Sequence, residues 1–246
     1  MRIAHDLYVV GGGDGGLNLS GVLDANCYVV DTGEGLWLVD VGLDDVDRVL
    51  ANIAADGLDP SAIVSVFVTH HHADHAGALA ALSARVPQAQ VGIGAEVADS
   101  VRRADEVGNG LAWARTAGYF PDTFRLEPAR VDVELTDGLT VERGAFRLTA
   151  VATPGHCAGH FCFLAESDEQ RLLFSGDQVF CGGQIALQNL PDVSIAATSD
   201  SMLRLLDLEF DSLLPGHGRF AFERGRTHVE SAAATFQAMG LPRNLF

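Results

Sequence analysis

Apolar positions along this chain fall into two rhythms that alternate from one end to the other. Short, nearly unbroken apolar runs at residues 7–10, 27–30 and 36–41, separated by Gly- and Asp-rich turns, predict strands. Residues 45–55 instead place Val46, Val49, Leu50 and Ile53 at helical spacing. The run 63–68 is almost wholly apolar and predicts a buried strand. A helix at 76–85, a strand at 89–93 and a helix across 97–117 follow. The second half repeats the grammar, with strands near 131–135, 145–152, 161–164 and 172–174, a helix at 194–208, a strand at 212–214 and a closing helix at 223–239. No Pro/Ser-rich linker or low-complexity tract interrupts the pattern. Residues 1–246 therefore read as a single α/β domain of two similar strand-then-helix halves, sheets inside and helices outside.

Composition then narrows the class. Hydrophobic residues make up 48% and charged residues 20% of the 246, the balance of a globular protein rather than a disordered one. No apolar run reaches the roughly 18–20 residues that a membrane span requires. Residues 1–8 carry Arg2, His5 and Asp6 and do not read as a secretory signal, so a cytoplasmic location is expected. Net charge is −17, from 33 acidic and 16 basic residues, and no basic groove is visible, which argues against a nucleic acid partner. The glycine-rich loop at 11–16 leads into a strand, not a helix, and so is not a dinucleotide fingerprint. Cys27, Cys157, Cys162 and Cys181 form no C-x-x-C pair and read as free thiols with packing roles. A small-molecule substrate is the expected partner, and a homo-oligomer is compatible with the sequence.

The chemistry concentrates in Thr69-His70-His71-His72-Ala73-Asp74-His75-Ala76-Gly77, between a predicted strand and a predicted helix. On an extended backbone alternate residues share a side, so His70 and His72 face one way and His71 the other. Asp74 and His75 reach the same pocket once the chain turns. Imidazole nitrogen and carboxylate oxygen suit zinc. Three histidines and one aspartate exceed what one catalytic zinc with an open position accepts, which hints at two metals. A solvent-exposed histidine run would not follow a buried strand or carry an embedded Asp74.

His70-x-His72-x-Asp74-His75 resembles the H-x-H-x-D-H signature of the metallo-β-lactamase superfamily. Four further segments resemble that family in its order: Leu38-Val39-Asp40-Val41-Gly42, Thr153-Pro154-Gly155-His156-Cys157-Ala158-Gly159-His160, Phe174-Ser175-Gly176-Asp177 and Leu214-Pro215-Gly216-His217-Gly218. Alone, the Pro-Gly pairs would be ordinary turns and His156, Asp177 or His217 ordinary turn or core residues. The resemblance implies an αββα four-layer sandwich with two central mixed sheets. It implies one metal on His70, His72 and His156, a second on Asp74, His75 and His217, and Asp177 bridging them. Asp40 and His160 are expected behind the ligands, with His5 and His228 uninvolved. The family's reaction is hydrolysis by a metal-bridging hydroxide, with Asp74 orienting it and shuttling its proton. Di-iron oxygen-chemistry members usually carry Glu where this chain has His72, so two Zn2+ per chain are expected, with iron or manganese as the other candidates.

Substrate is less legible. Glutathione-thioester hydrolases of the family bind through basic residues in a helical extension, and here only Arg219, Arg224, Arg226 and Arg243 follow His217. The lactonase tyrosine three residues after the bridging Asp is replaced by Phe180. Trp113, Tyr119, Phe120 and Phe124 suggest a lid over an apolar substrate, with Phe180 on the opposite wall; their other reading is helix packing. The expectation is an ester, thioester or lactone hydrolase. The alternatives are a mononuclear iron persulfide dioxygenase, whose branch keeps a similar histidine pattern, and a β-lactam hydrolase.

Overall fold

The computed structural model describes residues 1–245. They form two compact units, residues 1–135 and 136–245, each with its own mixed sheet.

In the first unit, strands β1 (Arg2–Ala4), β2 (Leu7–Gly11), β3 (Cys27–Asp31) and β4 (Leu36–Val39) pair antiparallel in chain order. From β4 onward, β5 (Ile63–Phe67), β6 (Gln90–Gly94) and β7 (Val133–Leu135) add in parallel. Parallel neighbours need crossovers, and helices supply the first two. Helix α1 (Val46–Ala55) starts at Asp45, whose carboxylate accepts the Arg48 N–H, and turns Val46, Val49 and Ile53 inward. Its apolar face joins Leu38, Ile63, Val66, Leu79, Leu82 and Val91 in one core. Trp37 faces elsewhere, fully buried edge-on to Phe67 with ring centroids 5.7 Å apart.

After β5 the chain makes a single helical turn, α2 (Ala73–Ala76), and then α3 (Leu79–Arg85). The continuous helix expected at 97–117 is instead broken into α4 (Ala98–Arg103) and α5 (Leu111–Thr116). The break has a local cause. Ala104 takes a left-handed conformation at φ 52°, and the Asp105 carboxylate accepts the N–H groups of Val107 and Gly108 in a turn. Strand β7, expected to open the second half, belongs to the first sheet.

In the second unit, β8 (Thr140–Arg143), β9 (Phe146–Ala152), β10 (Phe161–Glu166) and β11 (Arg171–Gly176) form an antiparallel meander, and β12 (Ser212–Pro215) joins β11 in parallel. The β11–β12 crossover is α6 (Ile195–Leu205), capped by the Ser194 hydroxyl on the Ala197 N–H. Helix α7 (Arg226–Gln237) follows, and Met202, Leu205, Val229 and Ala233 pack with Leu173 and Leu213. Among the described residues, no helix is long and apolar enough to cross a membrane.

Ile53 is fully buried in the first core. Replacing it with Ala should destabilise that unit by ~2–5 kcal/mol, read as a lower urea midpoint, with an unchanged midpoint overturning the assignment of this face to the core.

Candidate functional site

Each unit carries one cluster of donors, and in each the cluster grows from a parallel strand pair. Parallel neighbours end at the same edge, so the segments that follow them lie side by side.

In the first unit the pair is β4 and β5. Asp40 follows β4 with φ 57°, a left-handed turn that Asp tolerates better than most residues. Its buried carboxylate accepts the Thr69 N–H at 2.8 Å and the Thr69 hydroxyl at 2.9 Å. It also takes the Nδ1–H of His75 at 2.8 Å. The Thr69 hydroxyl, having donated to Asp40, accepts from His70 Nδ1 at 3.0 Å. Both rings thus have Nδ1 engaged as donor, which leaves the Nε2 lone pair as the metal-facing atom. The His70 ring centroid lies 4.6 Å from that of His72 and 4.1 Å from that of His75. Asp74 Oδ2 lies 3.7 Å from His75 Nε2. His70, His72 and His75 are buried, and Asp74 is partly exposed.

His71 lines a small cavity with Ser100, Val101, Asn109 and Leu126, and its ring stacks on that of His72 with centroids 5.6 Å apart. Two main-chain contacts hold Asp74 and His75 in place. Ala25 N–H donates to Asp74 O at 3.1 Å, and Val41 N–H to His75 O at 2.9 Å. Asp24 anchors both of these loops: it is buried and accepts the N–H groups of Gly21 at 2.8 Å and Leu43 at 2.7 Å.

In the second unit the pair is β11 and β12. Asp177 follows β11 and His217 follows β12, and the Gly216 N–H donates to Gly176 O at 2.8 Å, tying the two ends together. Asp177 Oδ2 lies 3.5 Å from His217 Nε2 and 3.7 Å from His156 Nε2. His156 sits in the turn after β9. That turn needs Gly155, at φ 144°, because a Cβ there would meet the Thr198 hydroxyl oxygen at 2.4 Å. His156 Nδ1–H donates to Ala186 O at 3.1 Å, so it too faces the cluster with Nε2. His160 Nδ1–H donates to Thr153 Oγ1 at 2.9 Å, while its Nε2 accepts the Asp177 N–H at 3.2 Å. His160 therefore steadies the carboxylate from behind.

Donors bound at about 2.0–2.2 Å to one tetrahedral ion stand roughly 3.3–3.5 Å apart, so the spacing within each cluster suits a shared cation. With anchored neutral imidazoles and carboxylates, each cluster fits a divalent metal on donor chemistry alone. Burial pushes the Cys157 thiol far up and the Cys162 thiol to about 12.

The aromatic residues divide. Trp113 is 52% and Tyr119 68% exposed. Phe120 packs instead with Leu43, Ala73 and Leu111. Phe180 is 2% exposed and bridges to Gln184, a core position rather than an open wall. His228, expected to be uninvolved, accepts the Gly182 N–H at Nδ1, 3.0 Å away, and so holds the loop after Asp177. Thr69, Thr153 and Asp24 were not singled out by sequence. For Thr69 and Thr153 their neighbours in the motifs offered the only signal, and Asp24 lies in no motif.

A profile of the metallo-β-lactamase superfamily matches residues 20–217. The chain is 27% identical to the atrochrysone carboxyl ACP thioesterase of Aspergillus fumigatus over 85% of its own length and 55% of the relative's. It is 27% identical to the acyl-coenzyme A thioesterase MBLAC2 of Bos taurus, over 80% of this chain and 71% of that one. The chain spans about half the length of the first curated relatives it matches. Among solved structures, a metallo-β-lactamase of Cronobacter sakazakii superposes with a TM-score of 0.75, covering 97% of this chain and 96% of that one at 22% identity, a likeness of fold.

Two expectations follow. Asp40→Asn, which turns an amide toward groups that need an acceptor, should weaken metal uptake about 10–100-fold in chelator competition, and unchanged affinity would remove Asp40 from this role. His228 titrates below its ordinary 6.5 because burial disfavours the charged ring. Its contribution to stability is complete above pH 6.5 and is lost as pH falls from there through the lowered native value. His228→Gln should therefore show a shallower loss of urea midpoint on acidification than wild type. Parallel declines would mean the ring does not hold Gly182.

Proposed function

The chain belongs to the metallo-β-lactamase superfamily, and from that premise we propose that it is a dinuclear zinc hydrolase of acyl thioesters with apolar acyl groups. The observation that carries this reading is the pair of donor clusters, with Nδ1 of His70, His75 and His156 engaged behind and carboxylate-to-imidazole donor pairs 3.5–3.7 Å apart. The family match runs across the boundary at 135/136 and includes all seven donors, which supports treating both units as one catalytic domain. On this reading His70, His72 and His156 hold one metal, Asp74, His75 and His217 the other, and Asp177 serves both.

Bound metals of this kind supply Lewis acidity and bring a water's pKa toward neutrality. The chain's own groups do the rest. Asp40, Thr69 and the Ala186 carbonyl fix the tautomer and aim of the imidazoles. Asp74, the one partly exposed ligand, orients the water and holds the proton it gives up. The acyl carbon gains the water oxygen, the C–S bond breaks, and the proton leaves with the thiol. The two thioesterase relatives favour thioester over lactone or simple ester. Trp113 and Tyr119 offer exposed aromatic surface for an apolar acyl chain.

Purified protein should contain about two zinc per chain and release thiol from medium- and long-chain acyl-CoA. Chelation should stop turnover and zinc should restore it. His72→Ala and Asp177→Asn should each lower kcat/KM by more than roughly 100-fold, beyond the loss of an outer hydrogen-bond partner. Full activity in the Asp177 variant would overturn its shared role. Turnover of β-lactams alone, or oxygen uptake with glutathione persulfide by an iron-loaded protein that hydrolyses nothing, would overturn the thioesterase reading.

A further inference from the structure

His156 takes its orientation from a backbone carbonyl, and that carbonyl belongs to neither a helix nor a strand. Ala186 is 2% exposed, yet residues 186 and 187 lie outside every regular element. Something other than a continuous ladder has to keep the Ala186 peptide pointing at the His156 ring.

The holder is the segment 243–245. Ile185 N–H donates to Arg243 O at 3.1 Å, and Leu245 N–H donates to Ile185 O at 2.9 Å, forming a parallel bridge between Ile185 and Asn244. The Asn244 side chain then continues the ladder where its backbone stops. Its Oδ1 accepts the Leu187 N–H at 2.9 Å and its Nδ2 donates to Leu187 O at 3.0 Å. The Leu187 N–H is half of the peptide group whose carbonyl is Ala186 O. The amide of Asn244 thus grips the far side of the same rigid plane that His156 grips on the near side.

We propose that Asn244 is a positioning residue for the metal ligand His156, acting through the 186–187 peptide. An asparagine amide suits the position because it offers one acceptor and one donor at the spacing of a peptide. Aspartate would keep an acceptor for the Leu187 N–H but set a second acceptor against Leu187 O, opening that side of the clamp, and alanine would present neither partner. Loss of the clamp lets the 186–187 peptide rotate, and the His156 ring loses the acceptor that fixes its tautomer and plane. This inference rests on the reading of His156 as a metal ligand.

The test is stepwise Co2+ loading of metal-free protein, with d–d absorption and chelator competition resolving the two sites. It uses wild type, His156→Ala, Asn244→Ala, Asn244→Asp and the His156→Ala/Asn244→Ala double variant. His156→Ala identifies its own site by removing it. Asn244→Ala and Asn244→Asp should then weaken that site about 10-fold, the lower end for an outer hydrogen-bond partner, and shift its absorption band. The other site should keep its affinity, and the double variant should bind no more weakly than His156→Ala. Equal weakening of both sites, or a lowered urea midpoint with both affinities intact, would overturn the proposal. If Asn244→Ala fails to fold, the near-isosteric Asn244→Asp decides by the same criteria. A wild type that takes up no Co2+, or a His156→Ala variant that keeps both sites, would instead overturn the metal reading beneath it.

Discussion

An imidazole can bind a metal through one nitrogen only if the other is told what to do. Here that instruction is built into the fold before any ion arrives. Asp40 and Thr69 take the Nδ1 protons of His75 and His70, and the Ala186 carbonyl takes that of His156. Each acceptor is buried and held by strand ends or their loops. Three rings oriented with Nε2 presented are therefore a property of the protein alone, and the binding of a cation need not spend free energy on reorienting them.

That arrangement depends on the placement of parallel pairs in the two mixed sheets. β4 and β5 end together, as do β11 and β12. In the first unit the shared edge delivers the orienting carboxylate beside the ligand run. In the second it delivers two donors, Asp177 and His217, whose strand ends are joined by the Gly216–Gly176 hydrogen bond. A purely antiparallel meander would send consecutive strand ends to opposite edges. The helical crossovers, and the cores they cover, are what parallel pairing at these two places requires.

The ligands were legible because their chemistry is rare at that density. Three histidines and an aspartate beside a buried apolar run leave few other uses, and most strands of both units, β1 and β8 excepted, follow from short apolar runs. The Nδ1 partners were far less visible. Ala186 contributes only a carbonyl, which carries no sequence signature, and Thr69 and Thr153 act through hydroxyls that look ordinary beside their neighbours. Strand β8 was missed because Thr140–Arg143 has only a weak half-buried alternation. The broken helix at 98–116 was missed because periodicity outweighed Gly108, Asn109 and Gly110, the turn signals inside it. Phe180 illustrates a different failure: a position next to a site in sequence says little about which way a side chain points, and this one points into the core.

The chain has two tryptophans, and they occupy opposite surroundings. Trp37 is sealed against Phe67 inside the first unit, while Trp113 stands half out of α5. Indole emission shifts to the red, and becomes open to collisional quenchers, as the ring meets water. The protein therefore carries its own two-colour optical reporter. A blue, protected component tracks the integrity of the first core, and a red, quenchable one tracks the aromatic segment at 111–119, so events at the two places can be followed separately without a label.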